Sequence, residues 1–409
     1  MTHEAPNALK PPEHALAELW NALDGAPTAR STEAVDLLNA RGRVLAHDVA
    51  SPHPIPEFRR SMMDGYALRA ADCVPGRRLS VVGEVAMGEG APGAVSAGHA
   101  LKIHTGGPVP DGAEVVLPHE NALRDGDWIE VGSALAAGDN VIAIGEDVRA
   151  GERVMKAGTI LREAEIAGLA SLGHARITVR SRLRVALISS GDELVPITAM
   201  PRLGQVRASN GVMLAARLSA IGARVNDLGV VADDAGAFAD AARRARASGA
   251  DAIVFIAGSS ASERDHAPAT IRAMGAPGIL THGVAFRPGK PLILALCDGI
   301  PVFGLPGNPI SALMTAQRFL VPTLWHMLGA RAPRPGTLRG HLVRGVRSPA
   351  ALEHWIPARI EGDEVTAIVT KSNLIFNAVR AEGAFCVPIG VDRLEAGSMV
   401  EIVPFFPQA

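Results

Sequence analysis

The stretch Val302-Phe303-Gly304-Leu305-Pro306-Gly307-Asn308-Pro309-Ile310-Ser311 reads as a short buried strand, a tight turn and a helix start, in that order. Pro306-Gly307 supplies the turn, because proline presets its φ and glycine accepts conformations that other residues resist. Asn308 is a good N-cap, and Pro309 falls at the first helical position, where its missing N–H costs nothing. A helix that starts this way at the C-terminal end of a strand turns backbone N–H groups outward, toward a phosphate or another oxyanion. Taken alone, the same turn also joins strands to helices that bind nothing. Its weight comes from three loops upstream.

Working outward, Val185–Ile188 and Ala252–Ile256 are apolar runs of strand length. Ser209-Asn210 reads as the cap of a helix that turns Leu214, Leu218 and Ile221 to one face before Gly222 ends it. Leu292 to Ala295 and Pro301 to Leu305 read as a hairpin across Asp298-Gly299, and Pro309 to Leu328 as a long helix. Strands alternating with helices predict a doubly wound, mostly parallel sheet with its ligand cleft beyond the strand C-termini. The loops expected at that edge are Ser189–Glu193, Ala257–Asp265, Arg287–Pro291 and the opening turn. Small residues let backbone amides approach an anion, hydroxyls add donors, and Lys290 is a point charge suited to phosphate. Glu193 and Asp265 would repel phosphate unless Mg²⁺ or a substrate N–H intervenes. No Walker A pattern is present.

Elsewhere the chain changes character. Leu16, Leu19, Trp20 and Leu23, then Ala34, Leu37 and Leu38, suggest two amphipathic helices between Ala15 and Leu45. Ser51 to Ile144 carries short apolar runs between Gly and Pro clusters, as in a small β-rich domain. Within it Gly88-Glu89-Gly90-Ala91-Pro92-Gly93 fits G-x-G-x-x-G, but Pro92 and Gly98 preclude the helix that a dinucleotide fingerprint must open. Leu161 to Gly173 is helical. After the Pro/Gly-rich linker Ala332–Gly336 come short strands and turns such as Glu361-Gly362-Asp363, predicting a small β-barrel or sandwich. With 409 residues, about two to four domains are expected. A net charge of -2 argues against polyanion binding and 4% aromatics against base-stacking platforms, so nucleic acid is not an expected partner. Cys73, Cys297 and Cys386 show no paired spacing, the first residues are polar, and no run reaches membrane-spanning length. The expected location is cytoplasmic.

A second polar set lies outside the α/β segment: Arg60–Ala67, with the single tyrosine Tyr66, His104–Ala113, and Gly145-Glu146-Asp147. Together the stretches resemble the molybdopterin molybdenumtransferase family, which includes the MoeA proteins and the C-terminal region of gephyrin. The residues that carry the resemblance are MDGYA at Met63 to Ala67, TGG-x-V-P-x-G-A at Thr105 to Ala113, GED at Gly145 to Asp147 and SGDEL at Ser190 to Leu194. PGKP at Pro288 to Pro291 and LPGNP at Leu305 to Pro309 complete the set, in an order that covers nearly the whole chain. The resemblance implies an α/β multidomain protein in four parts. These are an elongated helical and β dimerisation segment (1–50 with 140–182), a small β-rich domain (51–139), the molybdopterin-binding α/β domain (183–330) and a C-terminal β-barrel (331–409). It implies insertion of molybdate into adenylylated molybdopterin with release of AMP, Mg²⁺ as cofactor, a homodimer, and transient contact with molybdoenzymes or the upstream adenylyltransferase.

Carried over by residue, the resemblance makes Ser190, Gly191, Asp192, Gly258, Ser260, Arg287, Pro288, Gly289, Lys290, Gly307, Asn308, Pro309 and Ser372 the substrate cradle. Asp64, Thr105, Asp147, Glu193 and Asp265 take the catalytic positions, and Asp233 and Asp265 are the candidates to hold the metal. In such proteins the β-domain of one subunit faces the α/β domain of the other. Several positions depart from the pattern. Ala257 and Ser262 replace glycines of the loop after the second strand, and each Cβ closes a φ > 0 conformation at about 1–2 kcal/mol. Ile142 stands where a guanidinium able to hold molybdate or phosphate is usual, Arg287 replaces a lysine, and Pro357 an arginine. Three readings therefore stay open: a working transferase, a catalytically weak paralogue that binds or delivers the pterin cofactor, and a scaffold.

Overall fold

A computed structural model describes residues 9–26, 31–257, 266–333, 336–369 and 371–405. The chain forms two compact units, the larger from Met1–Ala46, Gly158–Ala167 and Ala175–Ala409, the smaller from His47–Ala157 and Gly168–His174. No helix among the described residues is long and apolar enough to cross a membrane.

Helix α1 (Pro12–Asp24) begins with proline in its first turn, and its Ala15, Leu16, Leu19 and Leu23 are buried at helical spacing. The second helix expected from Ala34, Leu37 and Leu38 is absent. Strand β1 (Thr32–Asp36) occupies that place, followed by one 3₁₀ turn over Leu37–Asn39, and Leu38 is 91% exposed. Three apolar residues in five are too short a record to fix a period. Side chains alternate from exposed to half-buried along Thr32–Asp36, and pairing with a distant strand (176–180) decides the conformation.

The smaller unit holds β2 (Arg60–Ser61), β3 (Gly65–Leu68), β4 (Arg78–Glu84), β5 (His99–Ile103), β6 (Val115–Pro118), β7 (Ala122–Asp125), β8 (Trp128–Val131) and β9 (Val141–Ile142). Six of these form one sheet in the order β6-β3-β5-β4-β8-β7, and β2 pairs with β9. Tyr66, Leu68, Leu79, Leu117 and Ile129 pack on one side of the sheet, and Ala67, Leu101, Ile103 and Val116 on the other. Gly65 is fixed by this packing, since a Cβ there would lie 2.0 Å from the Leu117 carbonyl oxygen. Gly88–Gly93 forms turns and no helix, as its proline requires.

Helix α2 (Glu163–Ser171) and β10 (Arg176–Arg180) lead into the α/β domain of the larger unit. Its elements are β11 (Arg184–Ser190), α3 (Ser209–Ala220), β12 (Arg224–Val231), α4 (Ala235–Ala247), β13 (Ala252–Ile256), α5 (Ala267–Ala273), β14 (Pro277–His282), β15 (Ile293–Cys297), β16 (Ile300–Leu305), α6 (Pro309–Thr315) and α7 (Val321–Met327). The sheet order is β12-β11-β13-β16-β15-β14, with β11, β12, β13 and β16 parallel and β14 and β15 antiparallel additions. Both faces are covered. Val185, Leu187, Val254 and Ile256 pack with Leu19, Leu214, Leu218, Ile310 and Phe319, while Ala186, Ile188, Ile253 and Phe255 pack with Phe238, Ala241 and Ile271. That double burial is why these strands read as unbroken apolar runs. Asp298 and Gly299, at φ 50° and 81°, turn β15 into β16 as the sequence indicates. The long helix after Pro309 runs as α6, a π turn over Ala316–Leu320, and α7; Pro322 near the start of α7 has no N–H to continue an α-helical ladder.

Strands β17 (Leu338–Leu342), β18 (Glu353–Glu361), β19 (Glu364–Ala367), β20 (Gly383–Val387) and β21 (Met399–Pro404) follow. They close in the order β18-β19-β17-β21-β20, with β20 returning to β18, so the tail is a barrel. Phe286–Arg287 joins its edge beside Glu353 and His354.

Candidate active site

The chain leaves β11 for β12 on one side and then crosses to β13 on the other, so the strand order reverses between β11 and β13, the place beyond the strand ends where sheets of this kind hold ligands. Ser190 ends β11 there. Its hydroxyl is buried and has no hydrogen-bond partner among the described residues. Gly191 follows at φ 146°, and the Glu193 carboxylate lies against it: a Cβ on Gly191 would sit 2.5 Å from Glu193 Oε2. The Asp192 carboxylate accepts the Asp233 backbone N–H at 3.2 Å, which sets it beside the main chain of Asp233. Among the described residues no three His, Cys, Asp or Glu side chains converge as a metal set. Ala257, at the end of β13, has φ 73° and keeps the glycine-like conformation despite its Cβ. Gly258, Ser260, Ser262 and Asp265 lie outside the described residues.

The turn after β16 differs from its sequence reading in one respect. Asn308 occupies the N-cap position but makes no capping bond; its amide donates to Ser372 Oγ at 3.0 Å. The Ile310 N–H donates to the Ser372 carbonyl at 3.0 Å, so the helix start is not an open row of donors. Likewise Ser209-Asn210 does not cap α3, which starts at Ser209, and the Asn210 amide instead braces the turn by donating to the Gly307 carbonyl at 2.7 Å. Both amides satisfy long-range partners that a local pattern does not reveal.

A cleft of about 580 Å³ opens between this turn and the barrel, lined by Arg287, Lys290, Asn308, Trp355, Lys371 and Ser372 among others. Gly289 holds the Pro288–Lys290 bend at φ 128°, where a Cβ would come within 2.3 Å of the Thr315 methyl. Trp355 is half-buried, and its indole N–H donates to Glu353 at 2.8 Å, which also receives Arg318 at 2.9 Å. His354, 8% exposed on the same wall, is held well below the usual imidazole range, to about 4, by burial and then by the nearby Arg287. Pro357 lines the cleft as well. His354, Trp355 and Lys371 went unread in the sequence because barrel residues face the α/β loops only after long-range pairing.

In the smaller unit two of the motif stretches, Arg60–Ala67 and His104–Ala113, meet, and the third is held close by in the chain. Asp64 Oδ1 accepts the Thr105 backbone N–H at 2.7 Å and its hydroxyl at 3.1 Å, and these two bonds, first the backbone one, hold the carboxyl below the ordinary range. Ser61 donates its N–H to the Gly107 carbonyl and receives that of Gly106, at 2.9 and 2.8 Å. The Asp147 N–H donates to the Ile55 carbonyl at 3.1 Å, which fixes the Gly145–Asp147 turn against the bent segment that precedes Arg60.

Small residues stand at the switch point of this doubly wound domain, and lysine and arginine line its cleft, a composition suited to a phosphorylated small molecule. Residues 10–173 match the MoeA N-terminal region (domain I and II), and 186–326 the probable molybdopterin binding domain. The molybdopterin molybdenumtransferase of Synechococcus elongatus is 34% identical over 382 residues, 90% of this chain and 94% of that one. That of Staphylococcus aureus is 27% identical over 379 residues, 90% of each. The crystal structure of the molybdopterin biosynthesis MoeA protein from Pyrococcus horikoshii OT3 matches with a TM-score of 0.83 at 27% identity, covering 96% of this chain and all of the other. The chain belongs to the molybdopterin molybdenumtransferase family.

Proposed function

We propose that this protein is a molybdopterin molybdenumtransferase, inserting molybdate into adenylylated molybdopterin in molybdenum cofactor biosynthesis and releasing AMP. The observation that carries the reading is the cleft beside Lys290 and Arg287, large enough for a nucleotide and lined also by Trp355, Asn308 and Ser372. Cleaving the pyrophosphate requires charge neutralised on the leaving phosphate and an oxyanion held in line. Lys290 and Arg287 would supply the first, and the Ser190 hydroxyl, buried without a partner among the described residues, would donate to a phosphate oxygen. Mg²⁺ typically uses one or two carboxylates plus substrate phosphates, so the adjacent Asp192 and Asp233 suffice on the protein side, with Asp265 as a further candidate. Bound there, the metal would neutralise pyrophosphate charge. Asp64, Thr105, Asp147 and Glu193 are assigned to the chemistry of molybdate and the pterin. We place the reaction in the cytoplasm, whose reducing conditions suit three free cysteines.

The test is direct. Protein supplied with adenylylated molybdopterin, Mg²⁺ and molybdate is expected to release AMP in step with molybdenum incorporation, and Lys290→Ala to slow release about 10²–10³-fold. Pterin binding without AMP release above a protein-free control would give the chain to the binding and delivery reading that Ile142 motivates.

A further inference from the structure

Arg60 stands on β2 directly opposite Ile142 of β9 in antiparallel register. Residues opposed in this way project from the same face, with Cβ atoms about 4.5–5.5 Å apart. A long side chain from position 60 therefore serves the surface that one from position 142 would serve. The other edge of β2 is bridged to Pro108, and Ser61 exchanges two backbone hydrogen bonds with Gly106 and Gly107. Arg60 thus lies between the Thr105–Ala113 loop and the strand that leads to Gly145–Asp147.

Its neighbour shows by contrast what is unusual about it. The Arg59 guanidinium is spent on the fold, donating to the Ala113 and Pro110 carbonyls at 2.8 and 3.0 Å. Among the described residues Arg60 Nε is buried without a hydrogen-bond partner and its guanidinium makes no ion pair. It rests over the Phe58 ring at 4.8 Å. Two acids of the adjoining loops are engaged by backbone donors: Asp64 by Thr105, and Glu146 by the Ala143 N–H at 2.7 Å. A buried, charged N–H without a partner is costly, and such groups recur where a ligand completes them. Stacking on a ring holds the guanidinium plane while leaving its N–H edges available for two parallel bonds.

We propose that Arg60 is the oxyanion-binding residue of the smaller unit, seating tetrahedral molybdate from β2 on the face where β9 offers only Ile142. The identity of the oxyanion rests on the transferase reading; the site does not. Molybdate titrated calorimetrically into the full-length protein, with sulfate as the control of like charge and shape, tests it. Arg60→Met is expected to weaken molybdate binding about 10–100-fold with little change in Tm, because among the described residues Arg60 makes no hydrogen bond or ion pair and methionine keeps an apolar contact with Phe58. Moving the guanidinium across the pair, in Arg60→Asn with Ile142→Arg, is expected to restore affinity to within a few-fold, and AMP affinity is expected to stay constant throughout. Equal molybdate affinity in Arg60→Met and the parent, or no molybdate binding by the parent, overturns the assignment. Arg60-dependent binding without AMP release upholds it while removing the transferase reading, and AMP release indifferent to Arg60 does the reverse.

Discussion

Ala257 shows how a single methyl group tests a backbone. At φ 73° it adopts the left-handed conformation that glycine enters freely and other residues enter at about 1–2 kcal/mol. The surroundings enforce it, since the Ala257 N–H is tied to the Leu305 carbonyl at 3.0 Å. Ala257→Gly is therefore expected to stabilise the larger unit by about 1 kcal/mol, read as a higher urea midpoint at unchanged m-value. An unchanged or lower midpoint would show that the methyl group is compensated by packing. The departure was legible in the sequence, because a family glycine is missing there. Arg60 was not: its meaning depends on standing opposite Ile142, and two-residue strands carry no periodic signal from which to read a register.

At the scale of elements, the strands that could be read were those buried on both faces. Val185–Ile188 and Ala252–Ile256 are unbroken apolar runs because α3 and α6 cover one side and α4 and α5 the other. The element misread, β1, has one half-buried face and derives its shape from a partner about 140 residues away. The barrel wall of the cleft was unreadable for the same reason, and it carries a pH dependence. His354 titrates near 4 when folded and near 6.5 when unfolded, so between those values the unfolded chain binds the extra proton. Its contribution is present in full above pH 6.5 and is lost as pH falls toward 4, by on the order of 3 kcal/mol at most. His354→Gln, which keeps a partner for Ser348 but does not titrate, is expected to flatten the fall in Tm between pH 6.5 and 4.5. Parallel Tm profiles for parent and variant would mean that other groups set the acid limit.

For the whole molecule, the two groups of site residues sit in different units, Asp64, Thr105 and Asp147 in the smaller and Ser190, Lys290 and Ser372 in the larger. Our reading assigns both groups to one reaction and the working assembly to a homodimer, in which the smaller unit of one copy serves the larger unit of the other. That arrangement has an arithmetic consequence. Asp64→Ala and Lys290→Ala should each, alone, release AMP at about a hundredth of the parental rate or less. Coexpressed in equal amounts, random pairing makes about half the dimers hybrid, and each hybrid then holds one site with both defects and one with none. Mixed protein should recover about a quarter of parental AMP release. Were both groups drawn from a single chain, every site in the mixture would keep one defect and the activity would stay at the level of the separate variants. Coexpression thus separates a site shared between copies from one completed within each copy, with no need of a ligand-bound structure.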